Sequence, residues 1–183
     1  GVSAADLLVI AERVADALAA AHARNIVHRD LSPDNIILRH GRPEEAVIID
    51  FGIAKDTNPG AATIVGNEFA GKYAYAAPEQ LSGDTDARSD VYALGALLLA
   101  AFRGRAPDAG ANPMEVVQRK ALPLDVSGVP EPLAGLIARM ADPDRNARLQ
   151  SAEAVLAAVR AARDASAPGG TGADAGGDDD RTV

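Results

Sequence analysis

His28-Arg29-Asp30-Leu31-Ser32-Pro33-Asp34-Asn35 is followed downstream by Asp50-Phe51-Gly52 and then by Ala77-Pro78-Glu79, and the order of these stretches decides how the chain is read. Upstream, Ser3-Ala4-Ala5-Asp6 has the form of a helix start, and Leu7, Ile10, Val14, Leu18 and Ala21 follow at helical spacing. An amphipathic helix therefore leads into the first stretch. Ile36-Ile37-Leu38 and Val47-Ile48-Ile49 flank Gly41-Arg42-Pro43, which predicts two short strands around a turn. Residues 50–79 hold four Gly and two Pro with little periodicity, too long a connection to be ordinary and therefore a candidate functional, regulatory loop.

Further along, Ala87 to Phe102 is apolar on nearly every side, the pattern of a helix buried as the central rod of a core. Met114 to Ala121, Pro132 to Ala141 and Ala152 to Ala162 read as three more helices, the last begun by Ser151 as N-cap with Glu153 in its first turn. Beyond Asp164 the composition collapses to Ala, Gly, Ser and Asp, ending GGDDDRTV. Such a segment cannot bury enough apolar area to offset chain entropy. The expected division is a folded domain over residues 1–163 and a disordered tail or linker over 164–183.

With 183 residues, 48% of them hydrophobic and 24% charged, the chain is suited to one globular domain. It has no Cys, which excludes a disulfide framework and a cysteine-based zinc site and fits the cytoplasm. The longest apolar run, Val91 to Phe102, falls short of the roughly 18 to 20 residues that cross a bilayer, so no membrane contact by this segment is expected. A net charge of −8 opposes attraction to phosphate backbones, so no nucleic-acid partner is expected either.

In this order, and with Pro33 after Ser32, the motifs resemble the large lobe of a protein kinase, of the bacterial serine/threonine type, over roughly Ser3 to Ala162. The resemblance implies a mainly α fold: a helical bundle around a buried central helix, with short β-hairpins carrying the catalytic and metal-binding loops. It implies transfer of the γ-phosphoryl group of ATP, with Mg²⁺, to Ser or Thr hydroxyls of a protein substrate. Such transfer asks a protein mainly for positioning and charge neutralisation. Asp30 is then the catalytic carboxylate that takes the hydroxyl proton, Asn35 and Asp50 hold Mg²⁺ and the nucleotide phosphates, and Ile37 lies beneath the adenine. Asp90 resembles the central-helix aspartate that receives catalytic-loop N–H groups. His28 and Phe51 resemble members of a packed column between lobes. Arg29 resembles the arginine that meets a phosphorylated activation loop, for which Thr63, ahead of Thr57, is the expected phosphosite. Glu79 resembles one half of a buried ion pair whose other half is Arg148, with Arg145 as a competitor. His22 and His40 read as surface residues.

Two departures belong together. Ser32 stands where the family has a lysine, and Lys72 follows Gly71 where the family has a Ser or Thr. In the family those two side chains meet near the transferring phosphate, so Lys72 is expected to reach back beside Asp30, with Ser32 as its hydrogen-bond partner, and supply the cation. A solvent-facing Lys72 and a tolerated Ser32 are the alternative. The larger departure is that these 183 residues contain no glycine-rich phosphate-covering loop and no strand lysine in a V-A-I-K context. The small lobe of the same parent chain is thus an expected partner, without which the isolated chain is expected to bind ATP weakly and not turn over. The rival readings are a pseudokinase or scaffold, motivated by Ser32 and Lys72, and a small-molecule phosphotransferase of the aminoglycoside or choline kinase kind, which lacks the Ala-Pro-Glu stretch.

Overall fold

The computed structural model describes residues 1–51, 71 and 73–167. Helix α1 (Ala4–Ala23) begins where the Ser3 hydroxyl accepts the Asp6 N–H at 3.2 Å, the N-cap bond expected of that residue type. Its buried stripe is Leu7, Leu8, Ile10, Ala11, Val14, Ala15 and Leu18. The hairpin that follows the first motif consists of β1 (Ile36–Leu38) and β2 (Ala46–Ile48), antiparallel, with Ile36 opposite Ile48 and Leu38 opposite Ala46. The second strand thus starts one residue earlier than its apolar run. The link is two 3₁₀ turns, Arg39–Gly41 and Pro43–Glu45, rather than one tight turn, with Gly41 at φ 67° where a side chain would be strained.

Helix α2 (Ala87–Arg103) is the expected central rod: every residue from Ser89 to Ala100 is buried. Its N-terminus is closed reciprocally, the Asp86 carboxylate accepting the Arg88 N–H at 2.8 Å while the Asp86 N–H donates to the Ser89 hydroxyl at 3.2 Å. At Gly95 an added Cβ would stand 3.0 Å from the Met140 Cβ and 3.1 Å from that of Ala141, so a glycine lets the end of the Leu133–Met140 helix pack directly on the rod. Around it lie α3 (Pro113–Lys120), α4 (Leu133–Met140) and α5 (Ala152–Ser166). Ser151 caps α5 through its hydroxyl and the Ala154 N–H at 3.0 Å, and the helix continues to Ser166 because Ala and Arg favour it even after the apolar stripe ends.

One apolar core joins α1, α2, α4 and α5, with Leu7, Leu18, Leu94, Leu98, Leu133 and Ile137 fully enclosed. Burying each such side chain stabilises by about 1.5–3 kcal/mol. Among the described residues the architecture is mainly α, with one hairpin set against the bundle through Ile36, Leu38, Ala46 and Ile48. No helix among the described residues is long and apolar enough to cross a membrane.

Candidate active site

The first motif is held by the central rod. Asp90, buried at the start of α2, accepts the His28 N–H on Oδ2 at 2.8 Å and the Arg29 N–H on Oδ1 at 2.9 Å. Arg29 has φ 70°, a conformation uncommon for a side-chain-bearing residue, and the two bonds from its backbone and its neighbour's hold it there. His22 Nε2 donates to the same Asp90 Oδ2 at 2.8 Å, its side chain only 9% exposed. The expectation that His22 is a surface residue is therefore corrected. It stands one turn beyond Leu18 on the buried side of α1, whereas His40 is exposed as expected and pairs with Glu45.

His28 is 1% exposed and oriented at both ring nitrogens. Its Nε2 faces the Ile49 carbonyl at 3.0 Å while Nδ1 faces the Asp30 N–H at 3.2 Å. A carbonyl only accepts and an amide N–H only donates, so the ring is the neutral Nε2–H tautomer. Phe51 packs edge-on to it with centroids 5.0 Å apart, so the aromatic contact joins the second motif to the first while the hydrogen bond to Ile49 holds the residue just before that motif.

Asp30, exposed, lies at the rim of a cavity of about 280 Å³ whose lining includes Ser32, Asp34, Asn35, Gly71 and Tyr75. Asn35 Nδ2 donates to the Asp30 carbonyl at 2.5 Å, and the Asn35 carbonyl accepts the Ile49 N–H at 2.9 Å. Asp30, Asn35 and the residue before Asp50 are thereby tied into one unit. Asp50 itself is exposed with φ 55°, a positive-φ aspartate two residues beyond β2. Since the amide nitrogen of Asn35 is engaged, its Oδ1 is left as the accepting atom. That oxygen and the Asp50 carboxylate are hard oxygen atoms of the kind that could serve Mg²⁺ alongside phosphates and water. Ile37 points away from the core face of β1 and is 45% exposed. Burial and the negative charge of Asp34 both push the Tyr75 phenol above its ordinary range. The Lys72, Thr57 and Thr63 expectations lie outside the described residues, as does Gly52.

The far end of the loop is anchored by Arg148, whose side chain is fully buried and donates to Glu79 Oε1 at 2.6 Å and to the Asp142 and Arg88 carbonyls. Arg145 instead bonds the Asp84 carbonyl at 2.8 Å and approaches Asp86 at 3.5 Å, which decides between the two arginines. Burial opposes ionisation of Asp86, but the Arg88 hydrogen bonds outweigh it and hold the carboxyl below its usual range. Gln80 stitches the loop end to the first motif, its Nε2 donating to the Arg29 carbonyl at 3.0 Å while its Oε1 accepts the Ala77 N–H at 2.8 Å. The roles of Gln80 and His22 are not legible in the sequence, since their partners lie 51 and 68 residues away.

The protein kinase domain family matches residues 2–158 of the chain. The chain is 36% identical over 170 residues to the serine/threonine-protein kinase pkn2 of Myxococcus xanthus, a match covering 86% of this chain and 20% of that protein. It is 39% identical over 135 residues to the serine/threonine-protein kinase PkaA of Streptomyces coelicolor, covering 72% of this chain and 25% of that protein. To the serine/threonine-protein kinase AfsK of the same organism it is 39% identical over 132 residues, covering 70% of this chain and 16% of that protein. The chain thus spans a quarter or less of the length of these curated relatives.

Proposed function

The chain belongs to the protein kinase family, and from that premise we propose that it supplies the acceptor side of a serine/threonine protein kinase active site, transferring the γ-phosphoryl group of ATP to a protein hydroxyl. The observation that carries this reading is the fixed placement of Asp30. Its N–H is tied to His28, its carbonyl to Asn35, and the residues before it to Asp90, and the residue lines a cavity together with Ser32, Asp34 and Asn35.

In this reading Asp30 orients the Ser or Thr hydroxyl and accepts its proton as the oxygen attacks phosphorus, a role worth about 10² to 10⁴ in rate. Asn35 and Asp50 would hold Mg²⁺, which when bound would supply positive charge for the phosphoryl oxygens. Ile37, exposed on the outer face of β1, provides an apolar surface for the adenine. Ser32 lines the cavity and Lys72 follows Gly71, another lining residue, so the proposal that Lys72 supplies a cation beside Asp30, with Ser32 as its partner, is retained. The proposal also holds that turnover needs a glycine-rich loop and a strand lysine, which these 183 residues do not contain.

The test is ATP-dependent phosphorylation of dephosphorylated casein by the full-length protein. Asp30→Asn is expected to lower kcat by about a hundredfold or more with an unchanged thermal midpoint. Wild-type protein that folds and binds Mg-ATP yet phosphorylates no casein Ser or Thr would overturn the reading, as would full turnover by Asp30→Asn.

A further inference from the structure

Lys120, the last residue of α3, is 4% exposed, a burial rare for lysine without a carboxylate partner. Its Nζ donates to the Ala74 carbonyl at 3.1 Å and stands 5.1 Å from the centroid of the Tyr92 ring on α2. The guanidinium carbon of Arg148 lies over the same ring, also at 5.1 Å. Two cations therefore share one aromatic ring, an attraction that strengthens where water is excluded. The Tyr92 hydroxyl is buried without a hydrogen-bond partner among the described residues, so the ring's place is set by its faces rather than by its oxygen.

The two cations grip the two ends of one short segment. Lys120 holds Ala74 and Arg148 holds Glu79. Between them Tyr75 and Ala76 form part of the wall of the cavity that has Asp30 at its rim. We infer that Lys120 is a positioning residue for protein-substrate docking: by tethering the Ala74 carbonyl to α3 it fixes the Tyr75–Ala76 wall opposite Asp30. This rests on the kinase reading of the same cavity. A lysine suits the position because its apolar stem can be buried while its ammonium reaches a backbone carbonyl that an aliphatic side chain would leave without that donor. Burial pushes the ammonium down to about 8, in keeping with how thoroughly the tether is desolvated.

Nucleotide contacts are made elsewhere, at Asn35, Asp50 and Ile37, so loosening the wall acts on the protein substrate selectively. In the full-length protein, Lys120→Met is expected to raise KM for dephosphorylated casein about tenfold, the effect of one lost charge-assisted bond, with kcat and KM for ATP within about twofold. Lys120→Arg keeps cation and donor and should return KM to within about threefold of wild type. Hydrogen exchange at the Ala74–Ala77 amides should speed about tenfold in Lys120→Met with α1 amides unaltered. The inference falls if KM for casein is unmoved, if Lys120→Arg behaves like Lys120→Met, or if exchange accelerates throughout the chain. Should Lys120→Met not fold, Lys120→Gln takes its place, and the same changes in KM and exchange support or overturn the inference. If the wild-type protein phosphorylates no casein, the kinase reading fails by itself, and the exchange measurement still decides whether Lys120 tethers the wall.

Discussion

Arg148 donates to Glu79 at 2.6 Å across the base of the segment that ends the long loop, with no solvent contact on the arginine side chain. Removing one partner of such a pair leaves a charge buried and uncompensated. Glu79→Ala is therefore expected to lower unfolding free energy by about 3–5 kcal/mol, read from the urea midpoint at unchanged slope. Arg145→Ala, at a partly exposed arginine bonded to Asp84 and Asp86, should lower it by no more than about 1 kcal/mol.

Asp90 gathers three donors, the His28 and Arg29 amides and His22 Nε2, onto two carboxylate oxygens. Asn at this position offers one accepting oxygen and turns an NH₂ group toward donors it cannot accept from. Asp90→Asn should destabilise by about 1–3 kcal/mol and release the His28 and Arg29 amides to exchange ahead of the α2 core. Casein phosphorylation by the full-length protein should fall further than the folded fraction, because the backbone of Asp30 is positioned through those amides.

His22 and His40 make a matched comparison. His22→Ala removes a donor to a buried carboxylate and should cost about 1–2 kcal/mol, measured by urea unfolding. His40 has a side chain 77% exposed, and His40→Ala should lie within about 0.5 kcal/mol of wild type. Equal effects would refute the assignment of His22 to the Asp90 network.

Lys120 and Tyr92 give stability a pH dependence with a turning point. Burial lowers the lysine from 10.5 to about 8, so between those values the unfolded chain holds a proton that the native chain has released, and stability rises with pH. Burial raises the phenol from 10.0 to about 12, so its contribution is complete below pH 10 and is lost as pH climbs through 12. Wild type minus Lys120→Met should therefore gain on the order of 2 kcal/mol from about pH 8 to about pH 10 in urea unfolding. A flat difference over that range would show that Lys120 is not desolvated.

Local features were open to reading from the chain alone. The Ser3 and Ser151 caps, the apolar stripe of α1, the uniformly apolar α2 and the β1–β2 hairpin each depend on residues a few positions apart, where residue type and spacing carry the physics. The order of the three motifs carries the family resemblance, which in turn implies the Asp90 contact with the His28 and Arg29 amides. Helix α5 runs past the change in composition, since helix propensity persists after the buried stripe stops.

Tertiary structure alone chose Arg148 over Arg145, drew His22 onto Asp90 and buried Lys120 against Ala74 and Tyr92. Those contacts join residues 69, 68 and 46 positions apart. An arginine, a histidine or a lysine on a helix or loop has the same local pattern whether it meets water or a buried partner. Which one it meets is decided by how the helices pack, because only packing removes the water that a long polar side chain would otherwise keep.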